Sequence, residues 1–205
     1  MRLLGAVLLA VSATHMPPFQ ARVLPVKRAE LRYSYRPGCP VGPSALRLVR
    51  PTYWGFDNRA HTGTLVVRRS AVSKLRVVFA RLYAARFPIR RIEPIDRFRA
   101  SDNASMAADN TSAFNCRYAI APGPRRWSAH AYGDAIDVNP VENPYVLGGR
   151  AHPPAGAAYV DRAKVRPGMA VRGGVLVQAF AAVGWHWGGR WYGSPDYQHF
   201  SATGG

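Results

Sequence analysis

Thr64-Leu65-Val66-Val67-Arg68-Arg69-Ser70-Ala71-Val72-Ser73-Lys74-Leu75-Arg76-Val77-Val78-Phe79-Ala80-Arg81-Leu82 changes its hydrophobic period partway along. Thr64 to Val67 is a β-favouring run and reads as a strand. Ser70 suits an N-cap. After it Val72, Leu75, Val78, Phe79 and Leu82 recur at helical spacing, while Lys74, Arg81 and Arg86 can lie away from that stripe. Pro88 is expected to stop the helix. Outward from here, Leu46 to Val49 is a second strand, separated from the first by the turn-prone Gly55-Phe56-Asp57-Asn58. Ile92 to Ile95 and Ala135 to Val138 read as further short strands, and the small, polar Asp102 to Asn115 as a loop. Val175 to Val183 forms a second amphipathic helix with Gly184 as its stop. The expected architecture is α+β: one domain with a small mixed or antiparallel sheet and helices packed on one side.

The chain has 205 residues, enough for a sizeable core, and its 48% hydrophobic content with five tryptophans argues against disorder. Against 28 Lys+Arg stand 11 Asp+Glu, a net charge of +17 that should draw the surface to polyanions. The basic residues are scattered singly or in pairs (Arg68-Arg69, Arg90-Arg91, Arg125-Arg126), without the long run expected of a nucleic-acid binder. Met1-Arg2 followed by the apolar Leu3 to Ala13 suggests an export signal, cut after Ala13 or Ala21 and too short for a firm membrane span. The expected division is a leader over 1–21, an extended Pro- and Arg-rich arm over 22–43, and a folded domain over 44–205. In an exported chain the two cysteines, Cys39 and Cys116, permit one disulfide that would clamp the arm onto the middle of the fold.

Two short elements carry the chemistry. Ser128-Ala129-His130-Ala131-Tyr132-Gly133-Asp134-Ala135-Ile136-Asp137 sets an imidazole in a loop seven residues before a carboxylate on a strand, with Gly133 letting the chain fold back. Pro195-Asp196-Tyr197-Gln198-His199-Phe200 sets an acid three residues ahead of a histidine. Together they offer two histidines and one aspartate as metal ligands (His130, Asp137, His199) and a free carboxylate, Asp196. Three protein ligands leave the fourth tetrahedral position of a zinc ion open for water, and a nearby carboxylate can take that water's proton.

Ser128-x-His130-x-x-Gly133-x-Ala135-x-Asp137 with Asp196-x-x-His199 resembles the zinc D-alanyl-D-alanine carboxypeptidases and L-alanyl-D-glutamate endopeptidases of peptidoglycan turnover. The resemblance spans roughly Leu46 to Phe200. It implies a small α+β fold, one zinc ion per chain, and hydrolysis of peptide bonds in cell-wall stem peptides, with Asp196 as general base where many relatives carry the longer glutamate. Asn110 to Arg117 looks like the family's substrate-side segment. The resemblance makes Arg117 the residue that polarises the scissile carbonyl or grips a substrate carboxylate, although the glutamine that often follows the family's arginine is not evident. Cys116 beside it would stiffen that loop if bridged to Cys39.

Other residues take lesser roles. Ser128 reads as a hydrogen-bonding neighbour of the site on the substrate side rather than a nucleophile, since no Gly-Xaa-Ser-Xaa-Gly elbow surrounds it. Trp187, in the Trp185-to-Trp191 run, is expected to line the cleft and touch substrate, with His186 as its companion. His61 positions a loop; His15 and His152 are surface residues. The expected partners are stem peptides and anionic wall polymers, with no specific nucleic acid, for a monomer acting in the cell wall outside the cytoplasm. The competing expectations are a non-catalytic wall-binding module, which would have no need of Asp196, and a basic nucleic-acid binder.

Overall fold

The computed structural model describes residues 16–120 and 124–204, so the expected export signal over the first residues lies largely outside what it describes. Its central strand β2, Leu46–Trp54, pairs antiparallel with three others: β1 (Ala21–Pro25), β3 (Ala60–Thr62) and β4 (Leu65–Arg68). Strand side chains alternate between faces, and here both faces are covered. Val49, Tyr53, Leu65 and Val67 point into the larger core; Leu46, Leu48 and Val66 point into a smaller one with Leu31, Val41 and Phe114. The fold is α+β with small antiparallel sheets. The arm does more than extend from it, because β1 is a paired strand and Leu31 is fully buried under the sheet.

Helix α1, Val72–Ala84, lays Leu75, Val78, Phe79 and Leu82 on the larger core, as the 3.6-residue spacing predicts. Its ends differ from expectation. Residues Arg69–Ala71 form a 3-10 turn, so Ala71 occupies the N-cap and Ser70 caps nothing. The helix ends four residues before Pro88, because Arg86 turns left-handed (φ 49°). There Arg86 N donates to Tyr83 O at 3.0 Å and Phe87 N to Leu82 O at 2.9 Å, which satisfies the last carbonyls.

Two other expectations fail. Ile92–Ile95 is no strand: Ile92 makes a single bridge to Thr111, and Pro94, unable to donate to a ladder, precedes a 3-10 turn over Ile95–Phe98. The segment 102–115 is not all loop, since Asp102–Ala107 is helix α2, capped by the Ser101 hydroxyl accepting from Ala104 N at 3.2 Å.

The C-terminal half adds a one-turn helix α3 (Ala129–Tyr132), strands β5 (Ala135–Asp137), β6 (Tyr145–Leu147) and β7 (Arg150–His152), helix α4 (Val175–Ala181), and strands β8 (His186–Trp187) and β9 (His199–Ser201). Strand β9 lies between β5 and β8, all antiparallel. Gly184 follows α4 with φ +75°, near the expected stop. Among the described residues no helix is long and apolar enough to cross a membrane.

Candidate active site

Strand alternation builds the site. In the β5–β9 ladder Ile136 faces Phe200 and Asp137 faces His199. Ile136 and Phe200 are fully buried in the larger core, and Phe200 stacks on Phe180 of α4 at 4.2 Å between ring centroids. The next pair must therefore point the opposite way, which sets Asp137 and His199 side by side on the cleft face.

His130 arrives from α3 rather than from a loop. Ser128 caps that turn, its hydroxyl accepting from His130 N at 3.3 Å. Gly133 then reverses the chain with φ +71°, and a Cβ there would lie 2.6 Å from Arg68 N, so no side chain fits. Arg68 Nη1 donates to Asp134 Oδ2 at 2.8 Å, which docks β4 against this turn.

His130 Nε2, His199 Nδ1 and Asp137 Oδ1 form a triangle with three sides of 3.2 Å. A carbonyl only accepts, so His130 Nδ1 carries a proton, donating it to Ala113 O at 2.6 Å. In the neutral ring this leaves the Nε2 lone pair aimed at the triangle. Tetrahedral zinc with bonds of about 2.0–2.1 Å has ligand–ligand edges of about 3.3 Å, so three converging acceptors at 3.2 Å fit that ion. Burial works against the charge on Asp137, but the imidazoles of His130 and His199 outweigh it and hold its carboxyl below the usual carboxylate range. Burial likewise opposes a charged His130, yet Asp137 raises it above its ordinary value. Both shifts express one fact: the cluster calls for positive charge at its centre.

Asp196 precedes His199 by one turn, with His199 N donating to Asp196 O at 3.3 Å. Its Oδ1 is buried without a hydrogen-bond partner among the described residues. Burial first, and Asp137 second, push its carboxyl up to about 7. Arg117 ion-pairs with Asp102 of α2, itself fixed by Asn115 Nδ2 donating at 2.9 Å. Cys116, next to it, is bonded to Cys39, so the arm is tied to the cleft wall.

These groups line one cavity of about 470 Å³ that holds His130, Asp137, His199, Asp196, Arg117 and Ser128 together. Residues 122–202, which include His130, Asp137, Asp196 and His199, match the family model described as D-alanyl-D-alanine carboxypeptidase. That segment is similar to this family. The match supports a peptidase of a class tied to peptidoglycan. No curated protein and no solved structure matches the chain closely enough to count as similar.

Trp187 does not line this cleft. Its indole donates to Tyr197 O at 2.9 Å and props the loop behind Asp196. The wall aromatics are Trp127, Tyr145, Trp191 and Tyr192, and the ring of Trp191 lies 5.2 Å from that of His199. His186 is exposed, and His61 holds its own turn through Asp57 at 2.9 Å. Sequence reading missed Asp102, Trp127, Tyr145 and Trp191; only Trp191 carried a signal, its place in the run leading to the second motif.

The loop from Asp137 to Tyr145 is pinned from behind. Asn139 Nδ2 donates to Pro88 O at 2.8 Å, and Asn143 Nδ2 to Val138 O at 3.0 Å. Within it burial, reinforced by neighbouring Asp109, pushes Glu142 up to about 8, with Arg90 Nη2 at 3.9 Å offsetting this only in part. A carboxyl raised on folding takes up a proton, so its contribution is complete below its unfolded value near 4.3 and fades as pH rises towards 8. Thermal stability should therefore fall between about pH 5 and pH 8, and Glu142→Gln should flatten that slope. Equal slopes in melting curves of the two proteins would refute this role for Glu142.

Proposed function

We propose that the chain is an exported, zinc-dependent peptidase that hydrolyses peptide bonds in peptidoglycan stem peptides. The observation that carries the reading is the equilateral donor triangle of His130, Asp137 and His199 sharing one cavity with Asp196, whose raised carboxyl has one oxygen buried without a hydrogen-bond partner among the described residues. Those three residues would hold a zinc ion, which would supply Lewis-acid polarisation of a carbonyl and a water acidified to near neutrality.

The remaining chemistry belongs to side chains. Asp196, balanced near neutral pH, takes the proton of the attacking water and hands it to the departing amine. Arg117, steadied by Asp102, presents positive charge to the carbonyl oxygen as it gains charge. Ser128 keeps the His130 turn in register through its cap. The net charge of +17 would concentrate the enzyme on anionic wall polymers, an attraction that salt weakens.

The first test is elemental analysis. Purified wild type should bind about one zinc per chain, and His199→Ala should retain under about a tenth of that. A wild-type protein that stays metal-free after zinc is supplied would remove the mechanism.

A further inference from the structure

Tyr145, the first residue of β6, faces Asp196 across an antiparallel bridge. Val146 N donates to Pro195 O at 2.9 Å and Tyr197 N to Pro144 O at 3.3 Å, so the two bonds flank the Tyr145–Asp196 pair from outside. In such a pair the opposed side chains share one face and stand closer than in a hydrogen-bonded pair. Wherever the Asp196 carboxyl points, the phenol goes with it. Both residues line the cavity that holds the metal triangle.

Tyr145 is only 5% exposed, and a phenol so buried ordinarily finds a partner. Tyr83, another buried tyrosine, donates its hydroxyl to Pro17 O at 2.7 Å. Among the described residues the Tyr145 hydroxyl has no such bond. Burial first, and the charge of Asp196 second, raise it above the usual phenol range, so the O–H keeps its proton and remains a donor.

A second space of about 250 Å³ opens beside Asp196 and shares Arg117, Ile120, Asp137, Tyr145 and Asp196 with the first. Two of these five bring carboxylates and one is apolar, so the side-chain donors at the junction are Arg117 and Tyr145. Arg117 is already engaged by Asp102 and by Tyr118 O at 3.3 Å. A carbonyl oxygen gaining charge at this junction therefore meets one donor that is shared and one that is not.

Resting on the peptidase reading above, we propose that Tyr145 is a catalytic residue whose hydroxyl donates a hydrogen bond to the scissile carbonyl oxygen as that oxygen becomes an oxyanion. No proton changes hands at the phenol. Its bond strengthens as water adds to the carbonyl carbon and relaxes when the C–N bond breaks. The water's oxygen ends on the new carboxylate and one of its protons on the released amine.

The test compares the zinc-loaded full chain with its Tyr145→Phe variant on an N-acetylated stem pentapeptide. A phosphinate built at the bond that wild type cuts serves as the tetrahedral mimic. Phenylalanine keeps the buried ring, so zinc content and melting temperature should not change. Losing a donor used only in the transition state should lower kcat by about 10² to 10³ and leave KM within about threefold. Phosphinate binding, read by calorimetry, should weaken by a similar factor. The acid limb of the pH profile should keep its midpoint. A kcat within about threefold of wild type, or unweakened phosphinate binding, would overturn the assignment. So would an acid limb moved by about half a pH unit or more, because the phenol would then act through Asp196. A wild type that cuts no stem peptide would instead sink the peptidase reading on which the assignment rests.

Discussion

Asp196→Asn should cut kcat/KM by about 10² to 10⁴ while the protein still binds about one zinc per chain, the range lost when a positioned proton acceptor is removed. The substitution keeps the shape of a side chain whose Oδ1 has no hydrogen-bond partner among the described residues, so the fold loses little. The pH profile gives an independent reading. Turnover needs the ionised carboxylate, so the rate should fall on the acid side by about tenfold per pH unit below its midpoint. With burial and Asp137 the midpoint stands near 7, and a cation among the ligands moves it lower by favouring the charged form. A variant retaining more than about a tenth of wild-type activity, with an unchanged acid limb, would assign the proton transfer to another group.

The second large effect concerns the Cys39–Cys116 bond, which closes a sequence separation of 77 residues. Chain entropy puts its stabilisation at about 4.5 kcal/mol for a loop of that length. For a domain of 205 residues this corresponds to a melting shift of about 10 °C. Cys39→Ser with Cys116→Ser should show it, and wild type under reductant should match the double variant. Cys116 adjoins Arg117 and donates its backbone N–H to Ser34 O at 3.0 Å, so the loss should also reach kcat/KM before metal content. A shift under about 2 °C would mean that the smaller core and the β1–β2 pairing hold the arm without the crosslink.

What could be read in advance followed the strength of each local signal. The apolar stripe of α1 repeats over three turns and drives its burial, so the helix was legible and only its ends, set by a 3-10 turn at one and the left-handed Arg86 at the other, were not. The meeting of His130, Asp137 and His199 was legible because their residue types and spacing are those that suit a single ion. Helix α2 was not, since its six residues carry no apolar period and the Ser101 cap is a single hydrogen bond in a polar stretch. Tyr145 reaches the site because β6 bridges Asp196 across the fold, and Asp102 because Asn115 fixes it beneath Arg117. Such meetings depend on tertiary packing and leave no spacing to find. The same holds for the space beside Asp196, whose walls come from α2, the segment around Ser112 and the residue before His199.

The crosslink between arm and cleft wall also sets how the molecule carries force. If residue 16 were pulled, β1 would peel from the antiparallel sheet first, but extension would stop at Cys39, after 24 residues and about 80 Å of slack. Beyond that point the load passes through sulfur to Cys116 and into the wall that carries Arg117, bypassing the helical core. Tension on the N-terminal end would therefore be felt at the cleft before it could unfold the rest of the protein.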